Sequence, residues 1–464
     1  MSTTASADHA PNSRRDTSNR DASATIPGRT EVSRRTWRTP LVRMDGPVNA
    51  HSHAFHRLLR GRTHGGGGSF WTWREAMYSA AASLTPESYE RLATAVFAEM
   101  ATAGWTAVGE FHYVHHNPDA SPYPDHAMER ALARAAQAVG IRLVLLDTLY
   151  LAGGFDQPLS SEQARFGDGS AAAWLERRAA LDAALAGESD LVSVGAAVHS
   201  VRAVPVDELR RVAAELPPEV PLHVHLSEQP KENADCLAAT GRTPTGLLAD
   251  VGLLSPRLSA VHATHLTDED VALLGDARVS VVMCPTTEAD LGDGIGPARA
   301  LADAGATITL GSDQHAVLDP FLEMRALEHG ERLASLTRGR FTPAELAAAA
   351  TTGGRRSLGL DGPAGNPADD ATNHASAHAT TGHAANHPST DHVLLHPDSA
   401  RTAGSLPDQL PLTASAQDVA SVVVGGREIA RDGAHVSLGD PGDLITAYLR
   451  DHPLPAPSSK GVSS

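Results

Sequence analysis

The chain has 464 residues and a formal net charge of −17, with 41% hydrophobic and 20% charged residues. An acidic balance of that size argues against a nucleic-acid-binding surface, because phosphate contacts need clustered Lys and Arg. No window approaches the ~20 apolar residues of a membrane helix, and two cysteines, Cys236 and Cys284, leave no disulfide framework and fit a reducing cytoplasm.

Residues 1–40 are rich in Ser, Thr, Arg and Asp without the apolar region of a secretory signal, and read as disordered. From residue 48 onward, apolar strand-like runs alternate with Ala-, Leu-, Glu- and Arg-rich helical stretches. The runs are 48–53, 106–113, 142–150, 191–200, 222–228, 258–265, 278–285 and 306–315; the helical stretches include 88–102, 125–139, 172–185, 206–216 and 297–304. Eight strands alternating with helices over ~270 residues is the count of a (β/α)8 barrel, expected to span 41–360. The third-to-fourth connection is long and loop-rich. Aromatic content is only 4%, so Ala, Val and Leu must build the core. A helical segment at 343–356 precedes a low-complexity insertion, 361–391, carrying His374, His378, His383 and His387. It lacks apolar periodicity and reads as a solvated loop rather than a metal-binding tract. A small β-sandwich-type unit is expected over 392–450, with strands at 392–396, 421–425 and 427–430, the last two joined by a Gly-Gly turn. The tail, 451–464, reads as disordered.

In such barrels the chemistry collects at the C-terminal ends of the strands. Strand one ends in His51-Ser-His53, and residues two apart on a strand share a face, so both imidazoles can point at one spot. Strand two ends in Glu110-Phe-His112-Tyr113 and strand four in His199-Ser-Val-Arg202. Strand five ends in His223-Val-His225-Leu-Ser-Glu228, strand six in His262-Ala-Thr-His265, and strand eight in Gly311-Ser-Asp313-Gln-His315. Any one of these groups alone is compatible with a buried, hydrogen-bonded polar residue; six ends carrying metal-competent groups point to a metal centre. Imidazoles with a carboxylate suit Zn2+, with Fe2+ or Mn2+ as alternatives.

These residues, in this order at these strand ends, resemble the amidohydrolase superfamily. The segments Asn49-Ala-His-Ser-His-Ala-Phe-His-Arg57, Phe70-Trp-Thr-Trp-Arg74-Glu-Ala-Met-Tyr78, Glu110-Phe-His-Tyr-Val-His-His116, His225-Leu-Ser-Glu-Gln229, Cys284-Pro-Thr-Thr-Glu-Ala-Asp-Leu-Gly-Asp-Gly294 and Gly311-Ser-Asp313 are similar to its formimidoylglutamate deiminase branch. The resemblance runs from about residue 48 to 360 and returns over the final strands. It implies hydrolysis of N-formimino-L-glutamate to N-formyl-L-glutamate and ammonia, a step of bacterial histidine breakdown, by a homodimer. It also implies one Zn2+ held by His51, His53, His225 and Asp313; strand four ends in no lysine that could be carboxylated to bridge a second ion. In that pattern Asp313 takes the proton of the attacking water. His262 stabilises the tetrahedral adduct and Glu228 carries a proton to the departing nitrogen.

The substrate implied is a small dicarboxylate, which calls for guanidinium partners. His56, Arg74, Tyr113, His199 and Arg202 occupy the family's substrate-binding places, although His56 stands where the family usually has glutamine. Two further departures are the short, polar segment before the barrel and the 362–391 tract. Phe70, Trp71 and Trp73, beside the Gly65–Gly68 run, are expected either as a flap over the pocket or as core packing. That run is no phosphate loop, since no Lys-Ser/Thr follows it. The competing readings are another aminohydrolase of the superfamily, acting on a guanidine, triazine or nucleobase, and a non-catalytic metal-binding barrel. Arg74 and Arg202 separate the first of these: a dicarboxylate needs both, a neutral heterocycle neither.

Overall fold

Each apolar run read from the sequence becomes a buried strand. The structure is a computed structural model that describes residues 39–64, 70–361 and 390–453, without the side chains of 70–72. The sequence expectations for 1–38, the glycine run, the Phe70 and Trp71 rings, the histidine-bearing tract and the last residues lie outside what is described. Strands β2 (Val48–Ser52), β3 (Ala107–His112), β4 (Arg142–Leu149), β5 (Val192–Ser200), β6 (Leu222–Leu226), β7 (Leu258–His262), β8 (Ser280–Met283) and β9 (Thr307–Leu310) form one parallel sheet in sequential order. Their side chains are almost continuously buried on both faces, as expected of strands with helices outside and a packed interior. This is the (β/α)8 barrel.

Side-chain and backbone hydrogen bonds together close the barrel between β9 and β2. Asn49 accepts a hydrogen bond from the Ser312 amide (2.9 Å) and donates to the Ser312 hydroxyl (2.7 Å), while the amides of Ser312 and Asp313 both donate to the His51 carbonyl at 3.0 Å. Gly311 permits this approach, because a Cβ there would lie 2.8 Å from the His51 Cβ. The seam therefore brings Asp313 against the His51–His53 segment.

Helix α1 (Phe70–Ala82) lines the mouth, and α2 (Pro86–Ala103) follows it and leads into β3. Thr85 caps α2 by accepting from the Ser88 amide, Pro86 takes its first position, and Gly104 at φ +112° ends it in the left-handed conformation. Helices α3 (Ala127–Val139) and α4 (Ala171–Leu185) follow β3 and β4. No described helix is long and apolar enough to cross a membrane.

The small unit is a five-stranded antiparallel sheet in the order β1 (Val42–Asp45), β10 (His392–Leu395), β11 (Val419–Val424), β12 (Arg427–Arg431), β13 (Ala434–His435). Two of its strands were not read from the sequence. β1 is four residues long and only half-buries alternate side chains, and β13 has two residues, so neither carries a pattern of useful length. Residues 441–451 form a helix, not more sheet: Asp440 accepts from the Gly442 amide at 2.7 Å and Pro441 starts the first turn. The sheet is tied to the bottom of the barrel, where the Arg142 Nε of β4 meets the Asp391 Oδ2 at 2.5 Å and the Gly46 amide donates to the Asp391 carbonyl at 2.9 Å. The strand C-termini at the other end are left for the site.

Candidate metal centre and its pocket

Strand alternation decides which groups face the mouth. On β2 and its continuation, His51 and His53 point in while Ser52 points out. On β3 and its continuation, Phe111 and Tyr113 point in while Glu110 and His112 point out. His51, His53, His225 and Asp313 come together with ligand atoms all within 4.8 Å of one another, and all four are buried. Asp313 Oδ1 lies 3.4 Å from Nε2 of both His51 and His53, and the Nε2 atoms of His51 and His225 are 3.1 Å apart.

The imidazoles are held in the neutral, ligating form. Burial, reinforced by the neighbouring imidazoles, pushes the pKa values of His51 and His225 well down, and that of His53 down to about 3. His53 Nδ1 lies 2.9 Å from the Phe111 carbonyl, which can only accept, so its proton is there and the Nε2 lone pair faces the cluster. Three neutral nitrogens and a carboxylate oxygen converging in a buried site fit a divalent cation. Behind them Glu110 clasps the segment, accepting from the Ser52 hydroxyl and the Ala54 amide, each at 2.6 Å. Burial raises its pKa to about 8 despite those bonds.

Beside the cluster stand His262 and Glu228. The His262 Nε2 lies 3.9 Å from Glu228 Oε1 and 4.0 Å from Asp313 Oδ2, and its Nδ1 is 3.5 Å from Glu288 Oε1. Burial alone would lower the His262 pKa, but the surrounding carboxylates outweigh it and raise it to about 10. Burial raises that of Glu228, opposed by His262 and Arg202. The backbone is bent to aim these groups: Ser227, His262 and Asp313 have φ of +51°, +70° and +41°, a left-handed conformation that costs non-glycine residues ~1–3 kcal/mol each.

The cavity above the cluster holds about 520 Å3 of space continuous with solvent. Its lining includes His53, His56, Arg74, Tyr113, His199, Arg202, His225, Glu228, His262 and Asp313, so the residues singled out for substrate and acid–base roles share one pocket. His56 Nε2 is 3.1 Å from the Tyr113 hydroxyl. Arg74 donates to the Tyr78 hydroxyl at 2.7 Å. Arg202 makes no hydrogen bond or ion pair to a described residue; burial would lower its pKa, but Tyr150, Glu232 and Glu228 more than offset that. Burial, then Arg202, keeps His199 neutral, and burial, then the neighbouring imidazoles, does the same for His56.

Other strand-end groups turn elsewhere. His223 contacts the Ser357 carbonyl (3.0 Å), His265 the Asp293 carbonyl (2.8 Å) and His315 the Ser52 hydroxyl (2.9 Å), while His112 and Glu110 lie behind the barrel wall. Trp73 is 8% exposed and packs edge-on against His56, so it is part of the wall. Sequence reasoning missed Met77, Tyr78, Tyr150 and Phe166, which complete the lining. Met77 and Tyr78 lie three and four residues after Arg74, a helical spacing that puts them beside it; Tyr150 stands at the end of the third strand-like run, and Phe166 carried no signal.

A model of the amidohydrolase family matches residues 45–368. A formimidoylglutamate deiminase of Pseudomonas aeruginosa is 41% identical over 328 residues, 68% of this chain and 72% of that protein. An 8-oxoguanine deaminase of the same species is 30% identical over 326 residues, 68% of this chain and 70% of that protein. Among solved structures, an amidohydrolase from Brucella melitensis superposes with a TM-score of 0.76 at 31% identity, covering 89% of each chain.

Proposed function

We propose that this chain, which belongs to the amidohydrolase family and is a metal-dependent hydrolase of C–N bonds, acts on N-formimino-L-glutamate. The products are N-formyl-L-glutamate and ammonia, a step of histidine degradation. The observation that carries the substrate is Arg202: a guanidinium in the cavity wall with no described partner suits a carboxylate of the ligand. A nucleobase, such as the deaminase relative's name indicates, would leave that charge unmatched.

His51, His53, His225 and Asp313 would hold the metal, and the donor set favours Zn2+. When bound, such an ion acts as a Lewis acid and brings the pKa of water towards ~7. Asp313 Oδ1 is turned to His51 and His53, leaving Oδ2 to take the proton of the water that attacks the formimino carbon. His262, kept cationic by the carboxylates around it, stabilises the charge that develops on the tetrahedral centre. Glu228, with its raised pKa, passes a proton to the imino nitrogen, the C–N bond breaks and ammonia leaves. Arg202 and Arg74 hold the carboxylates, with Tyr113, His56 and His199 between them and the cluster.

An Arg202→Ala variant tests the carboxylate reading. Its kcat/KM for formiminoglutamate should fall ~10²-fold or more, mostly through KM. An unchanged value would rule out Arg202 as the carboxylate partner.

A further inference from the structure

Beyond Tyr113 and His199 lies a second layer of the pocket wall that none of the roles above uses. Tyr113 and His199 are in ring contact with the cluster itself, at 5.4 Å from His53 and 5.0 Å from His225. Tyr150 packs on them from outside, 4.3 Å from His199 and 6.3 Å from Tyr113, and Tyr78 joins it through a shared partner. That partner is Gln163, only 3% exposed, from the irregular connection between β4 and α4. Its Nε2 donates to both phenolic oxygens, at 3.0 Å to Tyr78 and 2.8 Å to Tyr150.

The orientation of this carboxamide follows from its other end. The Ser160 backbone N–H, which can only donate, lies 2.9 Å from Oε1, so the oxygen faces Ser160 and the NH2 faces the tyrosines. Gly153 makes room for it, since a Cβ there would sit 2.9 Å from that oxygen and 2.7 Å from the Pro158 carbonyl. The Tyr78 oxygen also accepts from Arg74 Nε at 2.7 Å, so both its lone pairs are taken and its hydrogen must point away. That hydrogen goes either to the cavity or to the remaining lone pair of Tyr150, and in the second case the Tyr150 hydrogen faces the cavity instead. Either way the wall ends in a donor. Burial, then Tyr150, push the Tyr78 pKa up to about 12, so the phenol keeps its proton.

We propose that Gln163 is a positioning residue that holds the Tyr78–Tyr150 pair so that it presents a hydrogen-bond donor to the side-chain carboxylate of the substrate. The assignment rests on the formiminoglutamate reading: with the amidine carbon at the histidine cluster, the far carboxylate of a linear substrate reaches this outer layer. A carboxylate offers two acceptor oxygens there, whereas a carboxamide offers one and brings an NH2 that meets another donor.

The test compares wild type with Gln163→Glu on N-formimino-L-glutamate and N-formimino-L-glutamine, with metal content measured alongside. A carboxylate at 163 accepts from the tyrosines and turns their lone pairs to the cavity. KM for the glutamate derivative should rise ~10-fold or more and the preference over the glutamine derivative should collapse, with kcat within ~3-fold and metal content unchanged. Tyr150→Phe removes a donor without adding charge; if Gln163→Glu does not fold, its loss of preference in the same direction carries the test. Unchanged KM and preference in Gln163→Glu, or in Tyr150→Phe if it stands in, would overturn the proposal. A wild-type enzyme that releases no ammonia from formiminoglutamate would instead overturn the substrate reading, and this assignment with it.

Discussion

Two buried clusters on this barrel offer the same kinds of ligand atom. One is His51, His53, His225 and Asp313 at the mouth; the other is His112, His115 and Glu129 behind β3. They differ in where positive charge comes from. Around Asp313, no described Arg or Lys lies within 4.0 Å and His51, His53 and His225 are neutral, while the cationic His262, 4.0 Å away, is shared with Glu228 and Glu288. Behind β3, Arg177 bridges Asp147 (2.9 and 3.0 Å) and Asp168 (2.6 and 3.0 Å) and reaches Glu129 at 3.3 Å. His115 places one nitrogen 2.8 Å from the Glu129 carboxylate and the other 2.9 Å from the Thr148 carbonyl. Both partners only accept, so both nitrogens carry protons and the ring is a cation. Burial and Arg177 oppose that charge, but Asp147, Glu129 and Asp168 raise its pKa. Buried donors call for a metal where three of the four are neutral imidazoles with no cation among them; where Arg177 and a cationic His115 stand within the cluster, the same kinds of atom brace the wall.

The largest effect expected from this contrast is at the mouth. His225→Ala should lower bound metal from one ion per chain to a small fraction and cut turnover ~10³-fold or more, read by elemental analysis and ammonia release. Full metal retention would remove the distinction between the clusters. Next, Arg177→Met should leave metal content intact yet cost ~3–5 kcal/mol of stability in urea unfolding, because it strands buried carboxylates without a counter-charge. A metal loss there instead would show that the second cluster also binds.

The smallest effect is on acid stability. Burial alone would raise the Glu129 and Asp168 pKa values, but their His and Arg partners depress both. Below pH ~4 the unfolded chain therefore binds more protons at these sites than the folded one. Their stabilisation is complete above that pH and is lost as pH falls from there through the depressed pKa values of the folded protein. Glu129→Gln should flatten the acid limb of the stability curve while its neutral-pH metal content stays that of wild type; an unchanged limb would mean that Glu129 is not held ionised.

What was legible in the sequence was what periodicity governs. His51 and His53 could be paired because residues two apart on a strand share a face, while His225 and Asp313 stood among several strand-end groups and were singled out as ligands only by the family resemblance. The same rule does not say which strand-end histidines turn inward past the strand: His265 and His315 have metal-competent rings, yet bends place them on the Asp293 carbonyl and Ser52. Tyr150 closes the third apolar run and was passed over because it is no metal ligand, whereas Gln163 was invisible because an irregular connection, with no period to read, delivers it to tyrosines 85 and 13 residues away in the chain. β1 escaped for a related reason, since its pairing with β10 joins segments about 350 residues apart and leaves no local trace.

The central claim is that the mouth cluster hydrolyses a linear amidine carrying two carboxylates. Its most direct measurement is ammonia release by purified, zinc-loaded protein from N-formimino-L-glutamate, with N-formimino-L-aspartate and guanine as comparison substrates. Rapid turnover confined to the glutamate derivative is the predicted result. Release from guanine, or silence on all three with one zinc bound per chain, would contradict it.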